Sequence, residues 1–236
     1  MTSTHFIGIY DDLEISPNFC NDMISTFHNL SKNNNEQIES NNGNFRTDQA
    51  VFLDREDARE DGWKLKEDGV GVWKLEDDGA GGGLKKKIKI SLGGEKEKKE
   101  IEREDNPNIT LLLHTILQQA IDRYVAEHPA LNLLSFSANC VKLQKTLPSG
   151  GFHNWHSERQ AFDLHSKSRV LVWTMYLNDI PQGEGEIEFL ELGVRVQPKA
   201  GRVVLFPANW CHQHRGNPVY RTIKYIATGW YQESDT

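Results

Sequence analysis

His156 and Glu158 stand two residues apart in the run Gly151-Phe152-His153-Asn154-Trp155-His156-Ser157-Glu158, and His214 answers them far downstream, with Lys224 ten residues beyond it. Two imidazoles and one carboxylate are the donor set of mononuclear non-haem iron(II) sites, which keep coordination positions open for oxygen chemistry. A buried ammonium near such a site could anchor a second, anionic substrate such as a 2-oxo acid.

For these residues to meet, strands must carry them. Side chains two apart on a strand project to the same face, so a strand over 152–158 would turn His156 and Glu158 inward together. His212 and His214 are also two apart, within a strand expected over 211–215, and strand parity alone does not choose between them. On the last expected strand, Thr222, Lys224, Ile226, Thr228 and Trp230 share a face. Lys224 then sits among partly apolar neighbours, where an ammonium is costly unless paired, and an anionic ligand would supply the partner. Taken alone, His-x-Glu specifies almost nothing. His153 and His165 read as loop or solvent-facing histidines, and His212 as a group packed beside Trp210 or facing the substrate.

The chain has 236 residues, enough for one domain with a substantial core, and 37% of them are hydrophobic. Its net charge of −7 and pI near 5.7 argue against a nucleic-acid-binding surface. No stretch is long and apolar enough to span a bilayer, and the N-terminus lacks the pattern of a secretory signal, so a cytoplasmic protein is expected. Cys20, Cys140 and Cys211 are too few and too scattered for a disulfide framework or a zinc site and read as reduced thiols. The sequence carries no signal for oligomeric state.

One domain over 1–236 is expected, in three regions. Residues 1–55 supply a strand at Phe6–Tyr10, a helix opened by Ser16-Pro17 with Phe19, Met23, Phe27 and Leu30 on one face, an Asn-rich break over 32–44, and a second strand at Gln49–Leu53. Residues 56–106 form a charged, glycine-rich insertion with a near-repeat, Trp63-Lys64-Leu65 and Trp73-Lys74-Leu75. Two copies are too few for a repeat architecture. Such composition favours an exposed hairpin or loop, with a substrate-covering lid as the sharper alternative. Residues 107–236 open with a helix whose apolar stripe is Ile109, Leu112, Leu113, Ile116, Ala120, Ile121 and Tyr124. Eight short strands follow, around 139–145, 152–158, 169–177, 186–190, 194–197, 202–206, 211–215 and 222–231, separated by glycine and proline. The expected fold is mainly β with flanking helices (α+β): a double-stranded β-helix, the cupin-like jelly roll, with both helices packed against one outer face.

From about Asn139 to Tyr231 the sequence resembles the prolyl 4-hydroxylase-like branch of the 2-oxoglutarate- and iron(II)-dependent dioxygenases. The residues that carry the resemblance are Pro148-Ser149-Gly150-Gly151, Trp155-His156-Ser157-Glu158, Val172 to Asp179, Gly185 to Phe189, Pro198-Lys199-Ala200-Gly201, Leu205-Phe206-Pro207-Ala208, His212 to Pro218 and Lys224 to Trp230. Their order and spacing are collinear over the core. Phe6 to Leu53 more loosely resembles the segment that precedes that core.

The resemblance implies His156, Glu158 and His214 as catalytic metal ligands. It favours His214 over His212 because Pro218 and Lys224 then fall at the branch's spacings. Lys224 is implied to bind 2-oxoglutarate. Iron(II), 2-oxoglutarate and O2 follow as cofactor and co-substrates, with ascorbate as a reductant. The implied reaction hydroxylates an unactivated C–H bond, of a prolyl residue or free amino acid, coupled to decarboxylation of 2-oxoglutarate to succinate and CO2. The same chemistry on a lipid, nucleobase or other small molecule, and a non-catalytic metal-binding jelly roll, are the alternatives, so the partner is a small-molecule or peptide substrate. The sequence departs from the branch in three respects. Glu158 replaces the commoner aspartate, Glu184-Gly185 and Ile187 replace two glycines and a threonine before Phe189, and Thr146 stands where a co-substrate-contacting tyrosine is common.

Overall fold

The computed structural model describes residues 2–33, 39–42, 46–53, 109–159 and 164–234. The charged insertion, its two tryptophans and the hairpin or lid expected there lie outside the described residues.

In chain order the elements are β1 (Thr2–Thr4), β2 (Ile7–Tyr10), α1 (Phe19–Asn33), β3 (Glu39–Asn42), β4 (Arg46–Phe52), α2 (Ile109–Glu127), β5 (Phe136–Thr146), β6 (Gly151–Phe152), α3 (Leu164–Lys167), β7 (Arg169–Tyr176), β8 (Ile187–Phe189), β9 (Val194–Val196), β10 (Val203–Pro207), β11 (His214–Gly216) and β12 (Lys224–Glu233). The large sheet runs β1-β2-β10-β7-β12-β5-β4-β3, with β6 on β4, and the small sheet runs β11-β8-β9. Every pairing is antiparallel. The two curled sheets make a double-stranded β-helix.

Alternation along the strands builds two cores. Leu171, Trp173 and Met175 of β7, Val203 and Leu205 of β10, and Tyr225 and Ala227 of β12 pack with both long helices on one face of the large sheet. The intervening residues Val172, Tyr176, Val204 and Phe206 meet Phe189 and Val196 of the small sheet. The large sheet is therefore buried on both faces in its middle, and β7 reads as a continuous apolar run. Facing the small sheet, the parity that places Ile226 and Trp230 on the inner side also places Lys224 and Thr228 there.

The helices sit as their periodicity predicts, with one exchange. Phe19, Met23 and Phe27 of α1 are buried, but in α2 Leu112 is 36% exposed whereas Leu117 is buried. Leu117 lies one turn from Leu113 and from Ala120 and Ile121, on the same stripe, while Leu112 falls at its edge. The Asn-rich break also contains a strand, β3, which pairs with β4.

Two of the expected strands are shorter than the sequence suggests. Regular pairing in the 152–158 region ends at Phe152, and only His156 rejoins the fold, by an isolated bridge to His214. The 211–215 region is divided, because Trp210–His212 is a 3-10 turn capped by the Asn209 side chain and the strand begins at His214. His212 and His214 thus do not share a strand face.

In the centre of the sheet β12 and β5 pair with a register shift between Thr228 and Trp230, and Cys140 opposite adopts φ 61. This bulge presses the Cys140 carbonyl against Gly229. A Cβ on Gly229 would lie 2.2 Å from that oxygen and 2.6 Å from the Trp173 ring. Gly229→Ala is expected to destabilise the fold by about 1–3 kcal/mol, as overpacking of a filled core does, read as a lowered urea midpoint with unchanged m-value.

Candidate metal centre

His156, Glu158 and His214 come together from a loop and an edge strand. The loop after β6 is brought to β11 by a mutual pair of backbone hydrogen bonds, His156 N–H to the His214 carbonyl at 3.0 Å and His214 N–H to the His156 carbonyl at 2.9 Å. Directly opposed residues of an antiparallel pair point to one side, and the two imidazole centroids are 4.4 Å apart. Glu158 reaches the same point: its Oε1 is 3.4 Å from His156 Nε2 and 3.6 Å from His214 Nε2. One donor atom from each of the three lies within 4.8 Å of the others, a grouping that could hold a metal ion.

The tautomers suit that use. His156 Nδ1 is 2.9 Å from the Asn154 carbonyl, and His214 Nδ1 is 2.9 Å from the His212 carbonyl. A carbonyl only accepts, so each Nδ1 donates its hydrogen and each neutral ring keeps the Nε2 lone pair free toward the centre. Burial alone would raise the Glu158 carboxyl, but in the metal-free protein hydrogen bonds and charge interactions with His156 and His214, which act when their Nε2 atoms carry the proton that a metal ion would replace, hold it well below the usual carboxylate range. Two free imidazole nitrogens and an ionised carboxylate oxygen fit a divalent first-row ion.

Aromatic walls flank the site. The Phe152 ring stacks on His156 at 3.9 Å, and Phe206 and Phe189 lie against His214 at 4.9 and 5.8 Å. Glu158 Oε2 faces away from the histidines and accepts from Trp230 Nε1 and Arg169 Nη1, each at 3.0 Å. Neither contact was legible in the sequence. Parity put Trp230 on the inner face, but no spacing rule relates it to a carboxylate on a distant loop.

His212 turns elsewhere. Its Nε2 donates to the His5 carbonyl at 2.9 Å, and its Nδ1 lies 3.2 Å from Asn209 Oδ1, so it ties the turn before β11 to the N-terminal hairpin. His153 faces the Gly216 carbonyl at 3.2 Å. Trp173 is fully buried in the helix-side core. Among the arginines, Arg159 is exposed, while Arg215 pairs with Glu188 at 2.7 Å and covers the Trp155 ring at 4.4 Å. The side chain of His165 is outside the described residues.

Lys224 opens β12 opposite Thr146 of β5, and both are buried. Its ammonium donates to the Gly185 carbonyl at 3.1 Å. A side chain on Gly216, two residues past His214, would start 3.8 Å from Nζ, which brings the lysine next to β11. Burial pushes the Lys224 pKa down to about 8, against the opposing pull of the Asp48 and Glu186 carboxylates. Asp48 is itself bound by Arg46 through paired 3.0 Å contacts, and by Gln144. Glu184 and Gly185, which stand in place of two glycines, anchor the turn above the lysine. The buried Glu184 carboxylate accepts from the Tyr220 and Arg221 amides and from the Arg221 guanidinium, and Gly185 N–H donates to the Pro218 carbonyl at 2.9 Å.

Comparison with known proteins agrees with this architecture. The model of the 2OG-Fe(II) oxygenase superfamily matches residues 141–232, which contain all four candidate residues. Comparison with curated protein sequences gives no match. Among solved structures, the viral collagen prolyl hydroxylase of Paramecium bursaria Chlorella virus-1, in complex with 2-oxoglutarate, superposes with a TM-score of 0.57 at 13% identity, covering 98% of this chain and 97% of that one. A Pseudomonas putida prolyl-4-hydroxylase gives 0.56 at 15% identity, with 98% and 95% covered. A Trichoplax adhaerens prolyl hydroxylase in complex with a hypoxia-inducible-factor peptide fragment gives 0.58 at 13% identity, with 98% and 84% covered. The superfamily model thus matches the jelly-roll core, residues 141–232, as a 2-oxoglutarate/iron(II)-dependent oxygenase domain, and the three prolyl hydroxylases share the fold of the chain.

Proposed function

We propose that the chain hydroxylates a prolyl C–H bond in a peptide, with His156, Glu158 and His214 holding iron(II) and Lys224 binding the distal carboxylate of 2-oxoglutarate. The observation that carries the ligand assignment is the convergence of two Nε2 lone pairs and Glu158 Oε1 on one point, with both Nδ1 hydrogens committed to backbone carbonyls. The preference for a prolyl substrate rests on the fold shared with three prolyl hydroxylases, one of them bound to a peptide.

Iron(II), when bound, supplies the oxygen activation that couples 2-oxoglutarate decarboxylation to hydroxylation. This chain's residues hold and orient. His156, Glu158 and His214 would hold the ion through three donor atoms and would leave room beside it for the reactants. Lys224 offers a charge fixed by the Gly185 carbonyl, which positions an anionic co-substrate rather than merely attracting it. Phe152 and Phe206 line the imidazoles and limit water at the reacting centre.

Replacing any of His156, Glu158 or His214 with alanine is expected to abolish both metal binding and succinate release. His212→Ala should retain turnover while unfolding at a lower temperature, since that ring ties the N-terminal hairpin. An active His214→Ala enzyme alongside an inactive His212→Ala would refute the ligand set. For the substrate, proline-containing peptides should gain one oxygen in step with succinate release. A response to free proline or to a lipid alone would replace the peptide reading.

Lys224→Ala should weaken 2-oxoglutarate binding by about 2–4 kcal/mol, the loss seen when one partner of a buried charge pair is removed, with little change in metal affinity. The lysine also predicts a pH dependence. The ammonium is lost from the free protein above about pH 8, so wild-type affinity for 2-oxoglutarate should fall roughly tenfold per pH unit beyond it. In Lys224→Ala the affinity should be low at every pH. Stability moves the other way. The folded pKa lies below the ordinary 10.5, so between about 8 and 10.5 the unfolded chain binds more protons and this group's contribution to stability rises with pH. Calorimetric titration of 2-oxoglutarate from pH 7 to 9.5 separates these effects.

A further inference from the structure

We infer that Trp230 and Arg169 form a clamp on Glu158 that makes it a one-oxygen ligand, and that both are positioning residues of the metal centre. The inference rests on the assignment of Glu158 as a ligand.

The carboxylate is divided between two environments. Oε1 faces the two Nε2 atoms at 3.4 and 3.6 Å. Oε2 accepts the indole N–H of Trp230 and the Arg169 Nη1 hydrogen, both at 3.0 Å. Arg169 Nη1 also donates to the Glu158 backbone carbonyl at 2.9 Å, so one guanidinium fixes both ends of this residue. That guanidinium lies 3.8 Å over the Trp230 ring, and the indole is held by the same group whose target it shares.

The two donors come from neighbouring strands. Arg169 opens β7 and pairs in register with Gln232 of β12, two residues past Trp230. Glu158 sits on a loop with no regular strand pairing. The rigid centre of the large sheet thus grips a loop carboxylate and turns only one oxygen inward. Rotating the carboxylate so that both oxygens faced the histidines would break two hydrogen bonds to an ionised group, which are among the strong ones in proteins. With only one carboxylate oxygen turned inward, Glu158 would occupy less of the space around a bound ion and leave more of it to 2-oxoglutarate and O2.

The clamp also explains glutamate at this position. An aspartate is shorter by one C–C bond, roughly 1.5 Å, and would not span from the paired imidazoles to the indole and guanidinium. Glutamate reaches both.

The test is a double-mutant cycle on Co(II) binding to the full-length, metal-free protein, followed anaerobically by the d–d absorption, with apo-protein thermal unfolding alongside. Trp230→Phe keeps the ring and removes the N–H. It should weaken Co(II) binding about tenfold and alter the d–d spectrum, the scale on which groups that orient metal ligands act. In the Glu158→Asp background, whose carboxylate does not reach the indole, Trp230→Phe should change affinity less than twofold. Arg169→Gln repeats the comparison should Trp230→Phe fail to fold. Equal losses in both backgrounds, or a loss under twofold in the wild-type background, would overturn the clamp. Failure of the wild-type protein to bind Co(II), or undiminished binding by Glu158→Ala, would overturn the ligand assignment itself.

Discussion

Everything at the centre depends on the two backbone hydrogen bonds between His156 and His214. An antiparallel pair that exchanges both bonds has its Cα atoms about 5.5 Å apart and its side chains on one side. That spacing brings the two imidazoles against each other at a tilt, with no direct bond between them. It also fixes the start of the short step to Glu158, so that one backbone contact determines where three donor atoms stand. The aromatic rings against the histidines, the N-terminal hairpin tied to the preceding turn by His212, and the sheet that grips Glu158 all brace this junction.

Much of the scaffold was legible because it rests on periodicity. The faces of β7, β10 and β12 alternate as their apolar residues do, and Phe19, Met23 and Phe27 fall inward as a helix of period 3.6 requires. The candidate ligands were legible only in combination, through collinear motifs. What the sequence concealed has a physical reason. His156 and Glu158 were expected on a continuous strand, yet the ladder ends at Phe152 and the histidine returns through a single bridge, which no alternation pattern distinguishes from a strand. By strand parity His212 looked equivalent to His214; the spacing to Pro218 and Lys224 favoured His214, and the 3-10 turn at Trp210–His212 is the physical feature that turns His212 away. The pairing of Asn-rich β3 with β4 is similarly invisible to hydrophobic patterning, because its residues are polar.

The interior of the jelly roll is more charged than its apolar walls suggest. Asp48, Glu186, Lys142 and Lys224 are all buried. Such groups are tolerated when each is solvated by fixed partners, and Asp48 is held by Arg46 and Gln144. Lys224 differs in kind: its ammonium donates to the neutral Gly185 carbonyl and is destabilised by burial. A dianionic co-substrate would relieve that cost. Charge arranged in this way favours binding of an acid over water and over neutral analogues, without requiring the pocket to change shape.

The order of strands in the large sheet bears on how the chain acquires its structure. β12, the last strand, lies between β7 and β5, and β10 closes on β2 at the other end of the sequence. During N-to-C synthesis, β5 and β7 therefore emerge with their shared neighbour still missing, each presenting unpaired backbone and apolar faces. Non-local pairing of this kind is slow, and exposed edges invite association with other chains. The sheet reaches its final form only once β12 has been delivered, so the same strand that carries Lys224 and Trp230 is also the one whose arrival ends the period of greatest vulnerability to aggregation.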